Sequence, residues 1–441
     1  MKDIILVNTP LSRDKFISKE KFLPPIGLGY IQTYLEEENL EVELLDSLFL
    51  NLSVEEIKNI IKKERPRFVG LNVFTPNMEI VKEIIEGIPD EVEIILGGQV
   101  MKNVYQDFVK WNVLHILHIV IGEGELIIPD IVCERVKESP ILETGLCKVY
   151  HVTSESLYFP YDLSKIKLNR NIFKNRNMIN HFGLEEACMI SSRGCLYQCA
   201  FCGAANGRNK DTICRERKEE DLLEEINQIK RFTPNVSCIR MLDDLFLRNR
   251  HSIIKAMDIF KKVNLNWRAM AHILSFKCNE DLIPLLKESG CLELFVGIES
   301  GSESMRKFIN KSGDVAYVTH IIQEMLRNGI SVKGYFMYGF PDETNEDMNQ
   351  TYQLAKKLHT IASSVEGNFR NSTFQFRPYH GTELYNYVMA KGKKIGEFVQ
   401  DKKLQDWKGR QQFNIVSGNY SACSQVEIDN YISRTLLLNE K

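Results

Sequence analysis

The sequence predicts an α/β protein made of two successive units, a doubly wound parallel sheet and then a partial barrel of strand–helix pairs. Three observations predict it. Short apolar runs alternate with helical stretches along most of the chain, the pattern of βαβ units. A polar, irregular stretch between about residues 136 and 183 divides the alternation in two. Glycine and carboxylate residues gather at the ends of the strands in both halves, joined by cysteines in the second, where ligands bind in open α/β sheets and in barrels.

The first unit is expected over residues 1–135. Strands are predicted at Ile4–Val7, Val42–Leu45, Phe68–Val73, Val92–Leu96 and His118–Ile121. The helices between and after them are Gly27–Asn39, Val54–Glu64, Met78–Gly87 and Glu125–Val136. This is a flavodoxin-like, Rossmann-type arrangement. Small or polar residues fall at the strand ends: Thr9-Pro10, Asn72 with Thr75, Gly97-Gly98-Gln99 and Gly122-Glu123-Gly124. Pro25 and Gly27 open the first helix. Glycine there admits a bulky ligand close to backbone, although tight turns alone also call for it. No G-x-G-x-x-G follows the first strand, which argues against a dinucleotide site.

Residues 136–183 read as a linker, with Pro140, Pro160 and the basic run Lys165–Asn177. Such a run is either a solvated surface or a face toward an anionic ligand.

The second unit, residues 184–390, is expected to be a partial (β/α)6 TIM-like barrel. Its strands are Ala187–Ser192, Cys238–Leu242, Asn266–His272, Leu292–Ile298, Ser331–Tyr338 and Ser372–Phe376. Its helices are Arg217–Phe232, Ile253–Val263, Glu280–Ser289, Val315–Asn328 and Asn345–His359. The first strand delivers Cys195, Cys199 and Cys202 in a C-x3-C-x2-C loop. Three thiolates fit neither a closed four-ligand zinc site nor a fully ligated four-iron cluster. A [4Fe–4S] cluster here keeps one iron open to a small molecule. The neighbouring Cys188 and Cys214 lack the spacing that zinc needs. Asp243-Asp244, His272 and Glu299-Ser300 end other strands of the same rim. Residues 391–441 are expected to form a short helical C-terminal extension, with Lys391–Lys394, Lys402-Lys403, Trp407, Phe413 and an amphipathic stretch Val426–Leu438. It either caps the barrel or closes over a substrate.

The chain has 441 residues and a net charge of −3, which gives no electrostatic footprint for nucleic acid. No apolar run approaches the roughly 18 residues that span a membrane, and Met1–Asn8 reads as a strand, not a signal peptide. Eleven scattered cysteines suit a reducing cytoplasm.

The segments Asn8-Thr9-Pro10, Pro24–Tyr30, Gly97-Gly98 and Val120–Glu125 resemble the cobalamin-binding domain that precedes many radical S-adenosylmethionine (SAM) enzymes. No D-x-H-x-x-G motif is present, and neither His115 nor His118 is expected to coordinate cobalt. The cysteine loop, with Phe201 just before its last cysteine, resembles the radical SAM signature. So do Arg215–Ile226, Asp243–Phe246, Gly297–Ser302, Gly339–Thr344 and Pro378–Tyr385 of later segments.

The resemblance implies that Cys195, Cys199 and Cys202 ligate a [4Fe–4S] cluster and that its open iron binds SAM. One electron, from an external donor such as flavodoxin or ferredoxin, then yields a 5′-deoxyadenosyl radical. Phe201 would place its backbone against the adenine while its ring packs in the loop's core. Glu299 and Ser300 would hydrogen-bond the ribose or amino group. Asp243 and Asp244 would bind ribose or orient substrate, or one would cap the next helix. Arg193 would neutralise the reduced cluster or support the loop. Two residues depart from the family pattern: Leu196 replaces a proline, and His272, which ordinarily titrates near neutrality, replaces an arginine. No cysteine precedes Cys133, unlike in methylthiotransferase relatives. The implied reaction is cobalamin-dependent methylation of an unactivated carbon in a small-molecule or natural-product substrate. The alternatives are a rearrangement, cyclisation or oxidation with the same cofactors, and a non-enzymatic cluster-bearing regulator.

Overall fold

The computed structural model describes residues 2–13, 23–111, 113–176, 178–205, 213–400 and 415–440. The first sheet contains β1 (Ile4–Asn8), β2 (Val42–Asp46), β3 (Phe68–Asn72), β4 (Glu93–Gly97), β5 (Leu117–Ile121), β6 (Leu142–Thr144) and β7 (Cys147–His151). Its order is β2-β1-β3-β4-β5-β7-β6. The first five strands are parallel and have the expected flavodoxin-like order. β1 and β5 are buried along their whole length, as strands covered by helices on both faces must be. The strand ends stand level: Asn8 pairs with Asp46, and Asn72 with Gly97. That brings the predicted polar and glycine residues to one edge. Local signals set the helices, as in Val54–Glu64, where Ser53 and Glu56 form a reciprocal capping box.

The stretch expected as a linker is more ordered than its composition suggests. β7 joins the sheet parallel to β5, and β6 pairs antiparallel with β7. The basic run is divided: Lys165 and Lys174 are exposed, as on a solvated face, while three other cations turn to carboxylates of the protein. Lys167 pairs with Asp221 at 2.6 Å, Arg170 with buried Glu225, and Arg176 with Asp46 at the end of β2. These three staple the helix Glu219–Phe232 and the first sheet together. Asn177 lies outside the described residues.

The second sheet has seven strands. β8 (Met178–Ile179) runs antiparallel at one edge of the parallel set β9 (Glu185–Met189), β12 (Cys238–Met241), β13 (Asn266–Ala271), β14 (Cys291–Glu299), β15 (Ser331–Tyr338) and β16 (Phe369–Gln375). The set curves as a half-barrel with free edges at β8 and β16. Between β9 and β12, the antiparallel pair β10 (Ser192–Arg193) and β11 (Arg215–Glu216) forms the neck of the cysteine loop.

In the C-terminal extension, helix Gln425–Leu436 packs on the edge of the barrel. Ile428, Tyr431 and Ile432 join a cluster with Tyr338 and Met348, and the Tyr338 hydroxyl hydrogen-bonds Thr435 at 2.8 Å. This helix is a cap. The antiparallel pair β17 (Val399–Gln400) and β18 (Ile415–Val416) brings the extension back to the strand-end side. Lys402, Lys403, Trp407 and Phe413 lie outside the described residues.

Candidate functional site

The cysteine loop is anchored at its base. Asp243, at the end of β12, is fully buried and accepts hydrogen bonds from the Ser191 amide at 3.1 Å, the Ser191 hydroxyl at 2.7 Å and the Ser192 hydroxyl. Its carboxylate is therefore committed to the loop and not to a ligand's ribose. The loop itself is pinned by Ala200 N–H to Ile309 C=O at 2.9 Å and by Asn310 to Gln198 C=O at 2.8 Å. Burial raises all three cysteine thiols, Cys202 to about 12; Cys199 raises Cys195 and Cys202 further, and Glu299 raises Cys199. Without a cation the loop holds thiols; an iron centre is what converts such a set to thiolates. Among the described residues, no three His, Cys, Asp or Glu side chains converge on a single-ion position.

β14 ends beside this loop. Glu299 pairs with Lys311 at 3.3 Å, both nearly buried. Ser300 differs from expectation: its hydroxyl is fully buried, bonded to the Thr351 hydroxyl at 3.0 Å and accepting from the Ser302 amide at 3.1 Å. It shapes the turn and faces no open space. His272 also behaves differently from a free imidazole. Burial, with Lys311 and Arg306 nearby, pushes it down to about 2, so it is neutral. Its Nδ1 accepts from the Leu274 amide at 3.1 Å. The proton therefore sits on Nε2, a buried atom with no partner, in a ring stacked on Tyr197 at 3.7 Å.

At the end of the first sheet lies a cavity of about 480 Å³. Thr9, Pro25, Gly27, Asn72, Gly97, Gly98, Gln99, Gly122, Glu123 and Gly124 line it, among apolar neighbours such as Leu6, Leu28, Ile31 and Ile95. A Cβ on Gly27 would meet nothing within 4 Å, and one on Gly97 only a carbonyl at 4.0 Å. Side chains at these two positions would occupy the cavity, so their absence keeps it open for a bulky ligand. Gly98 and Gly122 serve the backbone instead. They have φ of +122° and +98°, and a Cβ on either would lie 2.4 Å from a carbonyl oxygen. Pro10 is buried behind the wall, and Thr75 faces the adjoining chamber. His115 bonds Val92 C=O at 2.9 Å and His118 bonds Glu93 at 2.8 Å, and neither lines the cavity.

The two rims share a chamber of about 520 Å³, lined by Phe74, Thr75, Gln99, Lys102, Phe201, Cys202, Asp244, Met337, Tyr379 and His380 among others. Phe201 and Asp244 thus face it, the latter with its carboxylate exposed to the chamber but enclosed by protein, where burial and Asp243 raise its pKa. Gln99 lines both this chamber and the glycine-rimmed cavity, and its amide lies 3.5 Å from where a Cβ on Gly203 would be. The chamber continues past Thr75, Pro76 and His380 into an outer cavity of about 840 Å³ bordered by Phe398 and Val399.

Several residues or partnerships here escaped the sequence reading: Lys311, Thr351, and Arg193 and Arg215 as partners of Glu125 and Glu123. Gly70, inside β3 and on the cavity wall, carried a usable signal, because glycine within a strand marks close approach. Lys311 and Thr351 carried none, since only the fold brings them to Glu299 and Ser300.

Comparison with known proteins agrees with this geometry. The radical SAM superfamily matches residues 189–355, and the B12 binding domain matches residues 17–132. An uncharacterized methyltransferase of Pyrococcus horikoshii is 27% identical over 380 residues, covering 83% of this chain and 79% of the relative. The cobalamin-dependent SAM radical enzyme OxsB superposes with a TM-score of 0.68 at 14% identity, over 98% of this chain and 65% of that one. The radical SAM methyltransferase TsrM of Kitasatospora setae, solved with cobalamin and a [4Fe–4S] cluster, gives 0.65 at 15% identity over 99% and 91%. At these identities the structural likeness is one of fold.

Proposed function

We propose, for a chain that belongs to the radical SAM enzymes carrying a B12-binding domain, that it methylates an unactivated carbon of a small-molecule or natural-product substrate. The observation that carries this reading is the shared chamber: Gln99 borders it from the glycine-rimmed cavity and Cys202 from the cysteine loop. When bound, the cluster supplies the electron that cleaves SAM and the cobalamin carries the methyl group.

Cys195, Cys199 and Cys202 would hold the cluster, and Gly27, Gly97 and the apolar wall would hold the corrinoid. The Glu299–Lys311 pair offers SAM's amino and carboxylate groups opposite charges in a nearly buried place. His272 Nε2–H supplies a neutral donor beside them. The substrate would lie between Phe201 and Phe74, with Asp244, Tyr379 and His380 around it and the outer cavity as its way in. Phe74, Phe201 and Met337, which line the chamber, would help to exclude water from it. An external one-electron donor such as flavodoxin or ferredoxin would reduce the cluster, in the cytoplasm.

The test is anaerobic incubation of the reconstituted protein with methyl-labelled SAM, a reductant and small-molecule extracts. Methyl transfer accompanied by both 5′-deoxyadenosine and S-adenosylhomocysteine is expected. Formation of 5′-deoxyadenosine with a converted but unlabelled product overturns methylation.

A further inference from the structure

Between the two rims lies a network of four charged side chains, two arginines from the cysteine-loop neck and two glutamates from the cavity side. β10 and β11, the neck of the cysteine loop, place Arg193 directly opposite Arg215. Two like charges so paired repel. The segment Gly122–Glu125, which follows β5 and lines the glycine-rimmed cavity, supplies the counter-charges. Glu123 accepts from Arg193 at 2.8 Å and also from Arg215. Glu125 accepts from the other Arg193 terminal nitrogen at 2.7 Å. All four side chains are 7 to 16% exposed. Stacking fixes both guanidinium groups further: Arg193 lies over the Tyr30 ring at 5.3 Å, and Arg215 over Phe159 at 4.2 Å while donating to Pro160 C=O at 2.5 Å.

An apolar contact tolerates sliding, whereas planar forks on buried carboxylates specify direction as well as distance. Any shift of the loop against the cavity strands a buried charge. We propose that Arg193, Arg215, Glu123 and Glu125 are positioning residues that set the cluster loop at a fixed separation from the cobalamin cavity. Arg193 thus supports the loop through the partner unit, and Glu123 acts on the cavity's neighbour as well as lining its wall. This inference rests on the function proposed above.

It is tested on the holoprotein by electron paramagnetic resonance. A reduced cluster speeds relaxation of nearby cob(II)alamin, and the effect falls steeply with separation. The half-saturation power of the cob(II)alamin signal, with the cluster reduced, is measured in wild type, Glu123→Gln, Glu125→Gln and Arg193→Lys, alongside iron and cobalt content. Glu123→Gln, measured on protein loaded with both cofactors, should lower the half-saturation power several-fold. Glu125→Gln, which loses one bridge, should shift it less in the same direction, and it serves if Glu123→Gln does not fold. Arg193→Lys should fall between wild type and Glu123→Gln. Wild-type saturation in both Gln variants, with both cofactors bound, overturns the positioning role and leaves the function intact. A wild-type protein that binds no cobalamin overturns both.

Discussion

The carboxyl ends of the first sheet and those of the second make opposite kinds of seat. The first is built by omission: Gly27 and Gly97 withhold side chains from a largely apolar cavity of about 480 Å³. The second is built by donors: three cysteines on an anchored loop, with the Glu299–Lys311 pair and His272 beside them. A shape-held ligand loses affinity gradually as space is filled, whereas a bond-held centre is lost when one ligand goes. Substitutions should separate the two behaviours.

The largest effect is expected from Cys202→Ala. It should abolish reductive SAM cleavage, by more than about a thousandfold, and remove the cluster's visible absorbance while cobalamin still binds. Next is a contrast within the glycines. Gly97→Val should weaken cobalamin binding by about tenfold or more, roughly 1.4 kcal/mol, with thermal stability almost unchanged. Gly122→Val should lower stability by about 2 kcal/mol or more, because a Cβ there would lie 2.4 Å from Val152 C=O at φ +98°. Chemical unfolding and cobalamin titration measure both.

A third prediction concerns pH. Glu343, in the turn after β15, accepts from the Gly339 and Phe340 amides, and burial raises its pKa from 4.5 to about 8. Its favourable contribution is complete below about pH 4.5, where folded and unfolded states are both protonated, and is lost as pH rises toward 8. Glu343→Gln should remove a loss on the order of a few kcal/mol across that window, seen as a flatter profile of unfolding free energy against pH. The smallest effect is expected from Ser300→Ala. It should cost about 1 kcal/mol of stability and leave SAM affinity within twofold, because the hydroxyl bonds Thr351 and not the chamber.

The fold was legible because both sheets are mainly parallel, and buried parallel strands write themselves as apolar runs ended by turns. The hairpin of β6 and β7 was not: β6 has only three residues, and its Glu143 and Thr144 are polar and exposed. The cysteine loop and the glycine cavity were legible because covalent ligands and missing side chains are written in residue types. Partnerships were not. Asp243 and Ser300 stand at strand ends, as ligand-binding residues do, but spend their polar atoms on Ser191, Ser192 and Thr351. The basic run before β8 looked solvated because its partners Asp46, Asp221 and Glu225 lie up to 130 positions away in sequence.

The central claim is that one chain holds a corrinoid by shape and an iron–sulfur cluster by thiolate, in separate seats that face one chamber. Metal analysis after anaerobic reconstitution tests it most directly, using wild type, Gly97→Val and Cys202→Ala. Wild type should carry about four iron and about one cobalt per chain, Gly97→Val should have a lowered cobalt content with its iron intact, and Cys202→Ala should lose iron alone. A wild-type protein without cobalt, or variants in which iron and cobalt are lost together, would contradict it.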